Sequence, residues 1–266
     1  MRRREYFLTL LFTEVIVVTS FFYGTSLFIK SISIEEKNVV LEDIIWEEKR
    51  ESMQEETLEE DPFPTQEIPA PRILKNQDVP FIVQAPGGSW ENPRYQDGCE
   101  EASLLMAFSW VQGKEIKNPA LTLDEISYAM EERLGTFYDT SIEDTFLFAH
   151  EYLDGEGTSL KKDVEKNDLI EELLKGNIIG ITVNGQRLNN PYFTPPGPLY
   201  YMIILRGYDP ETKEFIANDP GTKRGEKFRY QEDLLFSALQ NYTTGKKGTI
   251  FPEEKHMIVF QREEEW

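Results

Sequence analysis

From Val79 onward the apolar positions fall into short runs separated by glycine and proline punctuation. Val79–Val83 reads as a short strand, broken by Gln84-Ala85-Pro86-Gly87-Gly88. Ala102–Val111 is an unbroken apolar stretch whose spacing predicts a helix starting at or just after Cys99. Leu123–Leu134 carries Ile126, Tyr128, Met130 and Leu134 at near-helical spacing. Ser141-Ile142-Glu143-Asp144 has the form of a capping box opening a helix, and Asp168–Lys175 reads as a further helix closed by Gly176. The second half turns to strands at Ile178–Val183, Tyr200–Leu205, Phe215–Ala217 and Met257–Phe260, with one helix near Leu234–Leu239. Helices followed by a mostly antiparallel sheet define an α+β domain over residues 79–262, long enough for one core.

The chain before that domain has a different character. Tyr6–Ile29 is a largely apolar run, roughly 36 Å long as a helix, preceded by Arg2, Arg3 and Arg4. Residues 1–30 are therefore expected to be a transmembrane signal anchor, with the arginines cytoplasmic and the remainder exported. A cleaved signal and a buried helix are the alternatives, since Glu14 interrupts the run. Residues 31–78 read as a tether. Thirteen acids against three bases lie within 31–67, and Pro62, Pro64, Pro69 and Pro71 follow closely. Like charges repel and extend such a segment, and prolines stiffen it.

Charge and composition narrow the function. The formal net charge is −20, and phosphate binding needs clustered cations, so nucleic acid is not an expected partner. A single cysteine excludes an internal disulfide and any multi-cysteine metal centre. No cofactor or metal is expected. Only His150 and His256 are available for imidazole chemistry.

Cys99 stands in Asp97-Gly98-Cys99-Glu100-Glu101, where glycine permits a tight turn into the apolar helix. The positive end of a helix favours a thiolate, and thiolate is the nucleophile. Glu100 and Glu101 oppose that ionisation. A lone cysteine entering an apolar helix also reads simply as core.

Four segments in order change the balance: Val79-Pro80-Phe81-Ile82-Val83-Gln84-Ala85-Pro86, Asp97–Ser103, Tyr201–Asp209, and Phe215–Gly221 with its Asn218-Asp219-Pro220. Together they resemble the bacteriocin-leader-processing (double-glycine) peptidase-like family, the peptidase C-thirty-nine-like domains of the papain superfamily. That resemblance implies a papain-like cysteine peptidase fold with Cys99 as nucleophile. It implies that Gln84, or alternatively Gln96, donates to the oxyanion, and that Asp219 orients the catalytic histidine. At the position expected for that histidine stands Tyr201. If Leu205 and Phe215 flank a hairpin, paired numbers sum to about 420, and residue 201 faces Asp219. A phenol with a pKa near 10 is a poor base at neutral pH.

Two readings follow. The first is a membrane-tethered, outward-facing cysteine peptidase acting through Cys99, impaired by Tyr201 unless His150 or His256 serves as base. Its alternative is an inactive pseudopeptidase that binds a peptide or protein in the same cleft. Trp90, Tyr95 and the Tyr192–Pro198 loop are candidates for lining that cleft.

Overall fold

A computed structural model describes residues 75–262 other than 246. The chain divides into two units, Met1–Glu67 and Ile68–Trp266, and all described residues belong to the second. The expected membrane segment at 1–30 and most of the expected tether lie outside them. Among the described residues no helix is long and apolar enough to cross a membrane.

In chain order the elements are β1 (Lys75–Asn76), α1 (Pro93–Gln96), α2 (Cys99–Val111), α3 (Pro119–Leu134), α4 (Ile142–Tyr152), β2 (Thr158–Lys161), α5 (Lys166–Lys175) and β3 (Ile178–Val183). Then come β4 (Tyr201–Asp209), β5 (Glu214–Asn218), β6 (Phe228–Gln231), α6 (Glu232–Ala238), β7 (Asn241–Tyr242), β8 (Ile250–Phe251) and β9 (Met257–Phe260). The main sheet runs β2-β9-β3-β4-β5-β6, with β1 added alongside β4. Each of its pairings is antiparallel. The chain is thus α+β, with the helical half preceding most of the sheet.

The helices begin and end where side chains dictate. Pro119 opens α3 at a position whose N–H has no helical partner, and Gly135 closes it in the left-handed region at φ 76°. Ser141 caps α4 by accepting from Asp144 N at 3.1 Å. In α2 every residue from Cys99 to Trp110 is buried, which explains its lack of a polar face. It packs against β4 and is tied there by Ser103, whose hydroxyl donates to Met202 O at 3.2 Å.

Two expectations are corrected. Val79–Val83 is not a strand, because its backbone acceptors go to side chains instead. Val79 O accepts from Arg206 and Asn218, and Pro80 O accepts from Asn218. Pro80 has no N–H to offer a ladder. The strand in this region is β1, which lies inside the stretch expected to be tether and pairs with Tyr208 and Gly207.

The second correction concerns the β4–β5 hairpin. It closes at Asp209↔Glu214, and a bulge between Leu205 and Gly207 shifts the register, pairing Leu205 with Ala217 and Ile204 with Asn218. Tyr201 therefore stands two residues away from facing Asp219. The shift is even, so both side chains remain on one face as diagonal neighbours. An aromatic side chain is long enough to span that diagonal.

Candidate active site

Gly98 precedes the cysteine for a steric reason. A Cβ there would stand 2.7 Å from Arg94 O, so only glycine lets α1 end so close to the start of α2. The turn delivers Cys99 to the first position of α2, at 2% exposure, on the wall of a cavity of about 830 Å³. Gln84, Tyr201, Asp97 and Asp139 also line it, with Trp90, Tyr192 and Phe193 supplying apolar surface. The Gly221–Arg224 segment forms another part of the wall.

The thiol is held in its protonated form. Cys99 Sγ donates to Glu100 Oε2 at 2.9 Å, and Met202 N donates to Sγ at 3.4 Å. Burial pushes the thiol well above its ordinary value, and the Glu100 carboxyl beside it adds to the effect. Glu100 is itself fixed, because Oε1 accepts from Tyr242 Oη at 2.9 Å and from Thr140 N at 3.3 Å. Of the two acids in the first turn, Glu100 therefore opposes ionisation from inside the core, and Asp139 adds to it.

Tyr201 is 2% exposed and donates its phenol proton to Asp219 Oδ1, while Gly221 N donates to the phenol oxygen at 2.6 Å. The other carboxylate oxygen accepts from Asn190 Nδ2 at 2.9 Å and from Tyr230 Oη. Burial pushes Tyr201 well above the usual phenol range, and the Asp219 carboxylate pushes it further. A Cβ on Gly221 would stand 2.4 Å from the phenol oxygen, so that loop position is matched to Tyr201. The Tyr201–Asp219 pair thus pins the start of the loop that carries Thr222, Lys223 and Arg224 into the cavity.

Gln84 is oriented by chemistry alone. Its Nε2 donates to Tyr95 O at 3.0 Å and to Gln96 O at 2.9 Å. Both neighbours are carbonyls, so the amide cannot be turned over. Its two N–H groups are consumed there, and in this arrangement Gln84 presents no donor to the cleft. Gln96 reaches the cavity too, but its Nε2 donates to Trp90 O at 2.6 Å. Tyr95 contributes its carbonyl to this cluster and does not line the cavity.

Neither histidine joins the site. His150 Nδ1 pairs with Thr158 Oγ1 at 2.9 Å. His256 accepts from Asp163 N on Nδ1 at 3.1 Å, and its Nε2 is 3.5 Å from Glu143 Oε1. Cys99, Gln84, Tyr201 and Asp219 are brought together; an imidazole is not. Asn190, Tyr230, Tyr242 and Asp139 were not legible as site residues, since they arrive from loops and strands without a local signature.

The carboxyls here predict an unusual pH dependence. Burial raises Glu101 to about 8 and Asp139 to about 8, each with help from nearby negative charge. Their ordinary values are 4.5 and 3.8. Between those values and about 8 the unfolded chain has released protons that the folded one retains, so raising the pH favours unfolding. The melting temperature is expected to be higher at pH 5.5 than at pH 8.5, and Glu101→Gln is expected to flatten the difference. Thermal unfolding across that range checks it, and a rising profile would contradict it.

The start of α2 thus brings Cys99 against β4, whose Tyr201 holds the buried Asp219, in a peptidase-like domain of the papain superfamily. The Peptidase_C39 like family matches residues 76–247, and the chain belongs to that family. No curated protein matches. Among solved structures, a Bacillus anthracis protein named as a C39-like peptidase is similar at 17% identity, covering 72% of this chain and 98% of that one, with a TM-score of 0.44.

Proposed function

We propose that this peptidase-like domain is catalytically silent and uses its cleft to hold a peptide segment of a partner protein. The observation that carries the reading is Tyr201: a phenol stands on Asp219 where a general base would be needed, beside a thiol whose proton is engaged by Glu100. Losing a general base costs roughly 10²–10⁴-fold from that role alone. The spent amide of Gln84 removes a side-chain oxyanion donor as well. What remains is an aromatic-lined cavity of about 830 Å³, a volume that can take a short peptide segment.

The full chain is expected to cleave no peptide in a Cys99-dependent way at neutral pH. Incubation with a mixed peptide library, read by mass spectrometry against Cys99→Ala, tests this. Products made by the wild type and missing from the variant would restore the peptidase reading. The apolar run after three arginines supports tethering of the domain outside the cytoplasm. Protease added to intact cells should then digest it, whereas protection would count against that orientation.

A further inference from the structure

The polarity of the cleft around Cys99 is the reverse of what an acyl-transfer site requires. Such a site aims donors at a developing oxyanion. Here the wall presents acceptors. Gln84 is 3% exposed and lines the cavity, and its Oε1 is the orphan among the buried side-chain nitrogen and oxygen atoms of the described residues. The two carbonyls that hold its nitrogen fix that oxygen as the free end. A buried acceptor left unpaired costs free energy that a ligand donor would recover.

Asp97 and Asp139 line the same wall, and Glu100 holds the thiol of Cys99 beside them. Asp139 has no ion-pair partner among the described residues, and its elevation to about 8 owes part of its cause to Glu100 and Asp97. An arriving cation would relieve that crowding. The positive end of α2 does not offset it for a ligand, because Glu100 and Glu101 already occupy its first turn. Trp90 adds an aromatic wall, which also favours a cation.

The cavity's own cations lie on the Gly221–Arg224 loop. Arg224 stacks over the Tyr192 ring at 4.8 Å, and a Cβ on Gly88 would stand 3.8 Å from Lys223 Nζ, so that ammonium rests by the Pro86–Gly88 turn. They suit a ligand's carbonyls or carboxylate and leave the Cys99 end acidic.

From this we infer that the Cys99 end of the cleft is a subsite for a cationic nitrogen group carried by a peptide, bound by Gln84 Oε1 and Asp139. The inference rests on the peptide-holding reading and adds the chemistry of the group held. A lysine or arginine side chain and a free N-terminal ammonium share that chemistry.

The test uses the full chain and four fluorescein-labelled pentapeptides of one apolar sequence. Three are capped at the N-terminus and carry lysine, norleucine or glutamate at the centre; the fourth carries norleucine with a free N-terminal amine. Fluorescence anisotropy gives each Kd. Lysine or the free amine is expected to bind about tenfold more tightly than capped norleucine; whichever does so identifies the source of the charge. Asp139→Asn is expected to erase most of that preference, and an unchanged far-UV circular dichroism spectrum of the variant separates loss of the subsite from loss of the fold. Equal binding of all four, or strongest binding of glutamate, would overturn the subsite and leave the peptide-holding reading standing. Binding of none would overturn both.

Discussion

Replacing Tyr201 by histidine is expected to raise the alkylation rate of Cys99 at pH 7 by on the order of 10²-fold. The physical reason is local. At present burial works against a negative sulfur first, and the carboxyls of Glu100 and Asp139 add to it. An imidazole at the start of β4 would have Asp219 to orient it and could take the thiol proton, leaving a thiolate–imidazolium pair. Tyr201→Phe is the control, because it opens similar space without supplying a base. Iodoacetamide kinetics followed by mass spectrometry would distinguish them. Equal rates for the two variants would mean that access, and not the missing base, limits the thiol. Peptide turnover is expected to remain slow even in the histidine variant, since both N–H groups of Gln84 stay on Tyr95 O and Gln96 O.

The second large effect is expected at Arg206, on the β4 bulge. This guanidinium is 1% exposed and donates to Val79 O at 2.9 Å, Asn76 Oδ1 at 2.8 Å, Asn218 Oδ1 at 3.2 Å and Gln77 O. It replaces the missing strand pairing of residues 77–80 with a single multivalent donor. Arg206→Ala would strand several buried acceptors at once and is expected to cost about 3–5 kcal/mol of stability. Denaturant titration would measure it; a loss under about 1 kcal/mol would show that the segment is held by other contacts. Because Gln84 follows directly, limited proteolysis within residues 77–84 should accelerate in the same variant before global unfolding.

The sequence made the helical half of this domain readable because capping and period are local properties. Cys99–Val111, the Ser141 cap and Gly176 are where the pattern places them. The short strands β2, β6, β7 and β8 were not foreseen, since two to four residues carry no usable period and owe their existence to partners distant in sequence. Val79–Val83 misled for the converse reason: its β-branched and aromatic composition suits a strand, but the side chains of Arg206 and Asn218 claim the carbonyls of Val79 and Pro80. The site divides along the same line. The nearness of Tyr201 to Asp219 followed from the hairpin even though the register was two residues out, because an even error preserves the face. The direction of the Gln84 amide could not be foreseen, since it depends on where the carbonyls of Tyr95 and Gln96 point.

The burial of Cys99 has a consequence in redox terms. Oxidation to sulfenic acid and exchange with disulfides both proceed through an accessible thiolate. A thiol that is 2% exposed and hydrogen-bonded to a carboxyl offers very little of it. With no second cysteine in the chain, the domain has no disulfide to form within itself and a sulfur poorly suited to forming one with a neighbour. Its integrity should therefore be indifferent to the oxidising or reducing character of its surroundings.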